Sequence, residues 1–108
     1  MALTSDQRIE MAEMFRLMGD PTRLNILMRC LDGPVYVGEL ARMTGASQSL
    51  VSHHLRLLRA ARILRATRQG RHMFYTAADA HIRTVVADMM DHVGEPMDEG
   101  PMEEEDMG

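Results

Sequence analysis

The chain has 108 residues, 45% of them hydrophobic and 26% charged, with a formal net charge of −4 and a single cysteine. This length suits one small domain that gains from a partner, and the lone Cys30 excludes both an intrachain disulfide and any sensor needing two thiols from one chain. The net charge conceals a segregation, because residues 95–108 hold seven acids and no base, leaving 12 Arg against 9 acids, or +3, over residues 1–94.

The first residues, MALTSDQRIE, lack the basic-then-apolar signature of a signal peptide. No apolar run is long enough to span a membrane. Together with the lone cysteine this suggests a cytoplasmic protein. Residues 5–18 place Ile9, Ala12, Phe15 and Leu17–Met18 at helical spacing, with Thr4 or Ser5 as N-cap. Asp20-Pro21 reads as an N-cap followed by proline at the first helical position, where its missing N–H costs nothing. The helix it opens, TRLNILMRCL, is expected to bury Leu24, Leu27, Met28 and Leu31 and to stop at Asp32-Gly33 before Pro34. A short helix over 38–45, GELARMTG, follows and ends at Gly45.

Next comes ASQSLVSHHLRLLRAARIL, with Ser47 as N-cap and Leu50, Val51, Leu55 and Leu58 as its inward stripe. The opposite face carries Gln48, Ser49, Ser52, His53 and Arg56, while His54 is expected to pack inward. A short helix, a glycine-containing turn and a second helix with a small polar outer face form a helix-turn-helix. Ser47, Gln48, Ser49, Ser52, His53 and Arg56 are therefore candidate DNA contacts. ILRAT and HMFYT then alternate around RQGR as a two-stranded hairpin with Gly70 in its turn. Arg65, Arg68 and Arg71, with Gln69, are expected to crowd its tip, which suits a wing laid on phosphates or in a minor groove. His72 is read as structural or as a weak phosphate contact.

No acid lies between Glu39 and Asp79, yet seven arginines fall there. A +7 block in an acidic protein is the electrostatic footprint of a polyanion binder. The bland alternative is a solvated helix face. Exclusive use of Arg suits bidentate recognition of phosphate and guanine, although a GC-rich genome would also favour it.

The final helix, about 79–93, has Ile82, Val85, Val86, Met89 and Val93 along one side. It and the first helix carry more apolar surface than one small domain can cover, which points to a homodimer paired through these two helices. The expected fold is mainly α with a small β-hairpin: a winged helix-turn-helix over residues 1–95, followed by an acidic, self-repelling tail over 96–108.

DPTR, SQSLVSHHLRLL and RQGR, in this order, make the chain resemble the ArsR/SmtB family of bacterial winged-helix metal-sensing repressors over about residues 9–95. The resemblance implies a homodimer that represses an inverted-repeat operator in double-stranded DNA and releases it when a metal binds. The family's thiophilic site needs Cys-x-Cys where this chain has Tyr36, Val37 and Gly38, so that site is absent. Its site on the last helix has the pattern Asp-x-His, ten residues, His, two residues, Glu or His. Asp79, His81, His92 and Glu95 match it, as in the zinc-responsive SmtB branch.

His81 and His92 are eleven residues apart, which is about 16 Å along a helix axis, while zinc holds imidazole nitrogen at about 2.0–2.1 Å. One helix cannot bring both to one ion. An antiparallel partner helix can, pairing Asp79 and His81 of one chain with His92 and Glu95 of the other, twice per dimer. Two imidazoles and two carboxylates suit Zn(II), with Co(II) similar and Ni(II) calling for further ligands. The family also implies that metal-bound His92 signals to a backbone carbonyl near Arg62. The competing readings are a Co(II)- or Ni(II)-responsive repressor, a winged-helix DNA-binding dimer without metal input, and a metal buffer working through its acidic tail. No base–nucleophile pair or phosphate loop suggests an enzyme or an organic small-molecule substrate.

Overall fold

A computed structural model describes residues 2–96, so most of the acidic tail lies outside the described residues. The elements run α1 (Ser5–Met18), α2 (Pro21–Arg29), β1 (Val35–Tyr36), α3 (Val37–Thr44), α4 (Gln48–Ala60), β2 (Leu64–Gln69), β3 (His72–Ala77) and α5 (Ala80–Gly94).

Local chemistry sets most boundaries. Thr4 Oγ1 accepts from the Gln7 N–H at 3.1 Å while the Thr4 N–H donates to Gln7 Oε1 at 2.9 Å, a reciprocal capping box. Asp20 caps α2 by accepting from the Arg23 N–H at 2.9 Å, and Ser47 caps α4 by accepting from the Leu50 N–H at 3.1 Å. Gly45 takes the left-handed conformation that closes α3, with φ 77°. Helix α2 ends at Arg29, earlier than its apolar pattern suggests. The Cys30 carbonyl, which would continue a helix, instead accepts from the Ala77 N–H at 3.3 Å and Thr76 Oγ1 at 3.2 Å on β3.

The hairpin forms in register from Leu64↔Ala77 to Gln69↔His72, which puts Arg68 and Gln69 at its tip but Arg65, opposite Thr76, near its base and not at the tip as expected. Gly70 has φ 63° and Arg71 stays at negative φ, the pattern of a type II′ turn. The sheet has a third strand that the hairpin reading omitted. β1 pairs antiparallel with the other edge of β3, giving the order β1-β3-β2. Two residues leave no alternation to read; the exposed edge of β3 recruits them.

Ile26, Leu27, Cys30, Leu40, Val51, Leu55, Leu58, Ile63 and Leu64 are fully buried where α2, α3, α4 and the sheet converge. Two expected core residues are not in it. Leu24 and Leu50 are 36% and 43% exposed, because α2 turns Ile26 inward beside the expected Leu27 and Leu50 sits in the first turn of α4. The terminal helices bury little. Leu17 is the buried residue of α1 and Val86 that of α5, while Ile9, Phe15, Met89 and Val93 are 68%, 53%, 57% and 76% exposed.

Leu55 has 1% of its surface exposed at the centre of this core. Leu55→Ala should cost about 2–5 kcal/mol, through lost transfer energy and the cavity left behind. Urea denaturation at fixed protein concentration, which a dimer requires, checks it.

Candidate nucleic-acid interface and metal ligands

Helix α4 presents its polar face outward. Gln48, Ser49, His53 and Arg56 are exposed and Ser52 is half-buried. Ser47 is exposed too, but its oxygen already serves the cap, leaving its O–H as donor. At the wing, Arg68, Gln69, Gly70 and Arg71 are all exposed. Among the described residues Arg56, Arg65, Arg68 and Arg71 form no ion pair, so their charge is available to a polyanion. The inward placing of His54 is found, at 7% exposure.

The four candidate ligands fall into two pairs at opposite ends of α5. Asp79 is the N-cap, with Oδ1 accepting from the Ile82 N–H at 3.0 Å. Its other oxygen, Oδ2, lies 3.7 Å from His81 Nδ1. The Ile82 hydrogen bond, helped by the nearby His81, holds the Asp79 carboxyl below the ordinary carboxylate range. That keeps it ionised, with no proton to displace at neutral pH. His92 lies in the last turn of α5, and Glu95 follows as the C-cap in extended backbone. All four side chains are exposed. Among the described residues, no three His, Cys, Asp or Glu side chains of one chain gather closely enough to hold a metal. The donor types suit zinc, but one chain supplies them two at a time.

Arg62 occupies the corner between α4 and β2. It adopts φ 62°, the left-handed region that disfavours non-glycine residues. The Ile63 N–H reaches back to the Leu58 carbonyl at 2.9 Å, closing α4 as a Schellman motif. The Arg62 guanidinium pairs with Glu10 of α1. Arg62 also lines a groove with Met14, Ala78, Asp79, His81 and Ile82, so the corner after the recognition helix and the first ligand pair share one surface.

Several side-chain contacts escaped the sequence reading. Tyr36 stacks on His72, with ring centroids 4.6 Å apart and planes at 30°, and meets the edge of Phe74 at 5.7 Å. His72 is thus a strut joining wing to scaffold, which its neighbours in sequence do not suggest because β1 is invisible there. Gly38 matters for the same reason, since a Cβ there would lie 2.9 Å from Tyr36 Cε2. Arg23 reaches both α1 and α4, donating from Nε to the Leu17 carbonyl at 2.8 Å and lying 3.4 Å from His54 Nδ1 through Nη1. Cys30 is fully buried, and burial pushes its thiol up to about 12, so it offers no thiolate to a metal.

Residues 20–66 match a profile described as bacterial regulatory protein, arsR family. A transcriptional repressor SmtB homolog from Synechocystis is 36% identical over 93 residues, covering 86% of this chain and 70% of that protein. The cadmium metal-sensor CMTR from Mycobacterium tuberculosis superposes with a TM-score of 0.66 at 36% identity, over 88% of this chain and 99% of the other. A homodimeric winged helix-turn-helix DNA-binding domain from Mycobacterium bovis gives a TM-score of 0.74 over 86% and 90% of the two chains. At 24% identity that likeness speaks for the fold alone. The fold is a winged helix-turn-helix, and these similarities are to regulators of transcription, not to enzymes.

Gly38→Ala should leave the chain folded, since the clashing atom is the far edge of a ring that can swing aside. It should nonetheless break the Tyr36–His72 stack, so the ring-proton resonances of His72 move away from their ring-current-shifted positions in NMR spectra.

Proposed function

Because the chain belongs to the ArsR family of bacterial regulatory proteins, we propose that it is a metal-responsive transcriptional repressor that binds operator DNA as a homodimer and lets go when Zn(II) joins its last helices. The observation that carries this reading is the division of the ligands, with Asp79 and His81 at one end of α5 and His92 and Glu95 at the other. Neither pair closes a shell alone, and the exposed apolar stripes of α1 and α5 are what a second copy would cover. A two-fold axis between antiparallel α5 helices supplies the missing half of each site.

The metal class follows from the donors. Two imidazoles and two carboxylates favour Zn(II), and Co(II) is the nearest competitor. Ni(II) asks for additional ligands. A related sensor responds to cadmium by its name, but here the one thiol is buried and protonated, which disfavours thiophilic ions. When bound, the metal supplies a rigid link between the two subunits.

The remaining work is done by the chain itself. Gln48, Ser49, Ser52, His53 and Arg56 meet base edges and phosphates in a major groove, with Ser47 donating from its free O–H, while Arg68, Gln69 and Arg71 hold the flanking backbone. The two recognition helices must match successive grooves of an inverted repeat. Drawing the α5 helices together changes that separation. Arg62 is the joint through which the change passes, with His92 as the ligand that reports to it; the Arg62–Glu10 pair supports this by tying the end of α4 to a dimer helix. The carboxylate of Asp79 is held by its cap, with its second oxygen 3.7 Å from His81 Nδ1, so the two candidate ligands stand side by side before any metal arrives.

His92→Ala should bind the same duplex as the wild type in the presence of chelator yet ignore zinc. The wild type should lose affinity about 5- to 150-fold on zinc addition; release of DNA by His92→Ala at the same zinc level contradicts the assignment. The double variant Arg68→Ala/Arg71→Ala should weaken all duplexes alike and lower the slope of log affinity against log salt by about two.

A further inference from the structure

Arg23 makes three connections with one half-buried side chain and its backbone. Its N–H donates to Asp20 Oδ2 at 2.9 Å, its Nε donates to the Leu17 carbonyl at 2.8 Å, and its Nη1 lies 3.4 Å from His54 Nδ1. Leu17 is the buried residue of α1, and His54 is the buried polar residue of α4, next to the outward-facing His53. The guanidinium therefore spans from a terminal helix to the recognition helix, on a different side chain from the Arg62 corner.

A guanidinium only donates, so the His54 contact requires an imidazole whose Nδ1 carries no proton. We propose that Arg23 and His54 are positioning residues for the recognition helix: their hydrogen bond, made only by the neutral ring, holds α4 at its angle to α1 and so sets operator affinity without either side chain touching DNA. This rests on the repressor reading above.

The groups that act on His54 are Arg23 and Asp20 from α2 and its cap, and His53 from α4, whose ring centroid is 5.5 Å away. Burial, then Arg23, lowers the imidazole's pKa below its ordinary value of 6.5; His53 adds to this and Asp20 opposes it. The contact is thus fully present above pH 6.5 and is lost as pH falls through the lowered folded value. Protonation puts a second donor and a positive charge against Arg23. Acid should then weaken operator binding, opposite in sign to the general effect, in which added positive charge strengthens phosphate binding.

The experiment uses the full chain with chelator and a duplex recovered by the wild type from a random library at pH 8. Affinity is measured from pH 8 to 5.5, alongside the His54 ring resonances. The wild type should weaken about tenfold as His54 protonates. His54→Asn, which keeps an acceptor near the Nδ1 position and does not titrate, should hold or gain affinity across the range. If His54→Asn does not fold, Arg23→Gln carries the question: it should raise the midpoint of His54 titration and weaken binding already at pH 8. Overlapping pH profiles for wild type and His54→Asn, or an Arg23→Gln protein with unchanged titration and affinity, overturn the proposal while leaving the repressor reading intact. A chain that binds no duplex at any pH removes both.

Discussion

A zinc ion draws its imidazole nitrogens to about 2 Å, and a straight helix separates residues eleven apart by about 16 Å. Everything proposed about sensing depends on that mismatch. α5 carries His81 near its start and His92 near its end, so any ion that uses both must sit between two chains. The same helix fails to bury Met89 and Val93, and α1 fails to bury Ile9 and Phe15. In a chain of 108 residues the small core over α2, α3, α4 and the sheet does not cover these side chains, and on the proposed reading a second copy does. The polar ends of α5 and its uncovered apolar stripe are two consequences of one geometry.

Identifiable side-chain contacts join the helix-turn-helix to α1 and to the wing. The Arg62–Glu10 pair links the end of α4 to α1 from outside, and its exposure keeps its contribution to stability small. Arg23 links α1 to the middle of α4 from within. Tyr36 and His72 brace the wing against the start of α3. Among the described residues Arg56, Arg65, Arg68 and Arg71, by contrast, form no ion pair, which is the arrangement that counterion release favours.

What was legible in the sequence was what short-range chemistry controls. Thr4, one of two N-cap candidates, Asp20 with Pro21, Ser47, Gly45 and Gly70 each specify a cap or turn within a few residues, and each sits where its type suggests. The four candidate ligand positions rest on resemblance and on spacing, since among the described residues one chain brings only Asp79 and His81 of the four near each other. What stayed hidden depends on distant pairing. β1 is two residues long and exists because β3 has a free edge. Leu24 and Leu50 fit helical stripes yet face outward, because neighbouring helices decide which part of a stripe is covered. The reach of Arg23 to His54 crosses 31 positions, and no local pattern announces it.

The central claim is that each metal site is shared between subunits, and subunit mixing addresses it directly. Neither His81→Ala nor His92→Ala dimers should bind Zn(II) at the shared site. Unfolding and refolding an equal mixture creates heterodimers in which one site regains both histidines and the other loses both, so zinc binding should return to about a quarter of the wild-type capacity. A mixture that binds no more zinc than its separate parents would contradict the shared site and return α5 to the role of an interface alone.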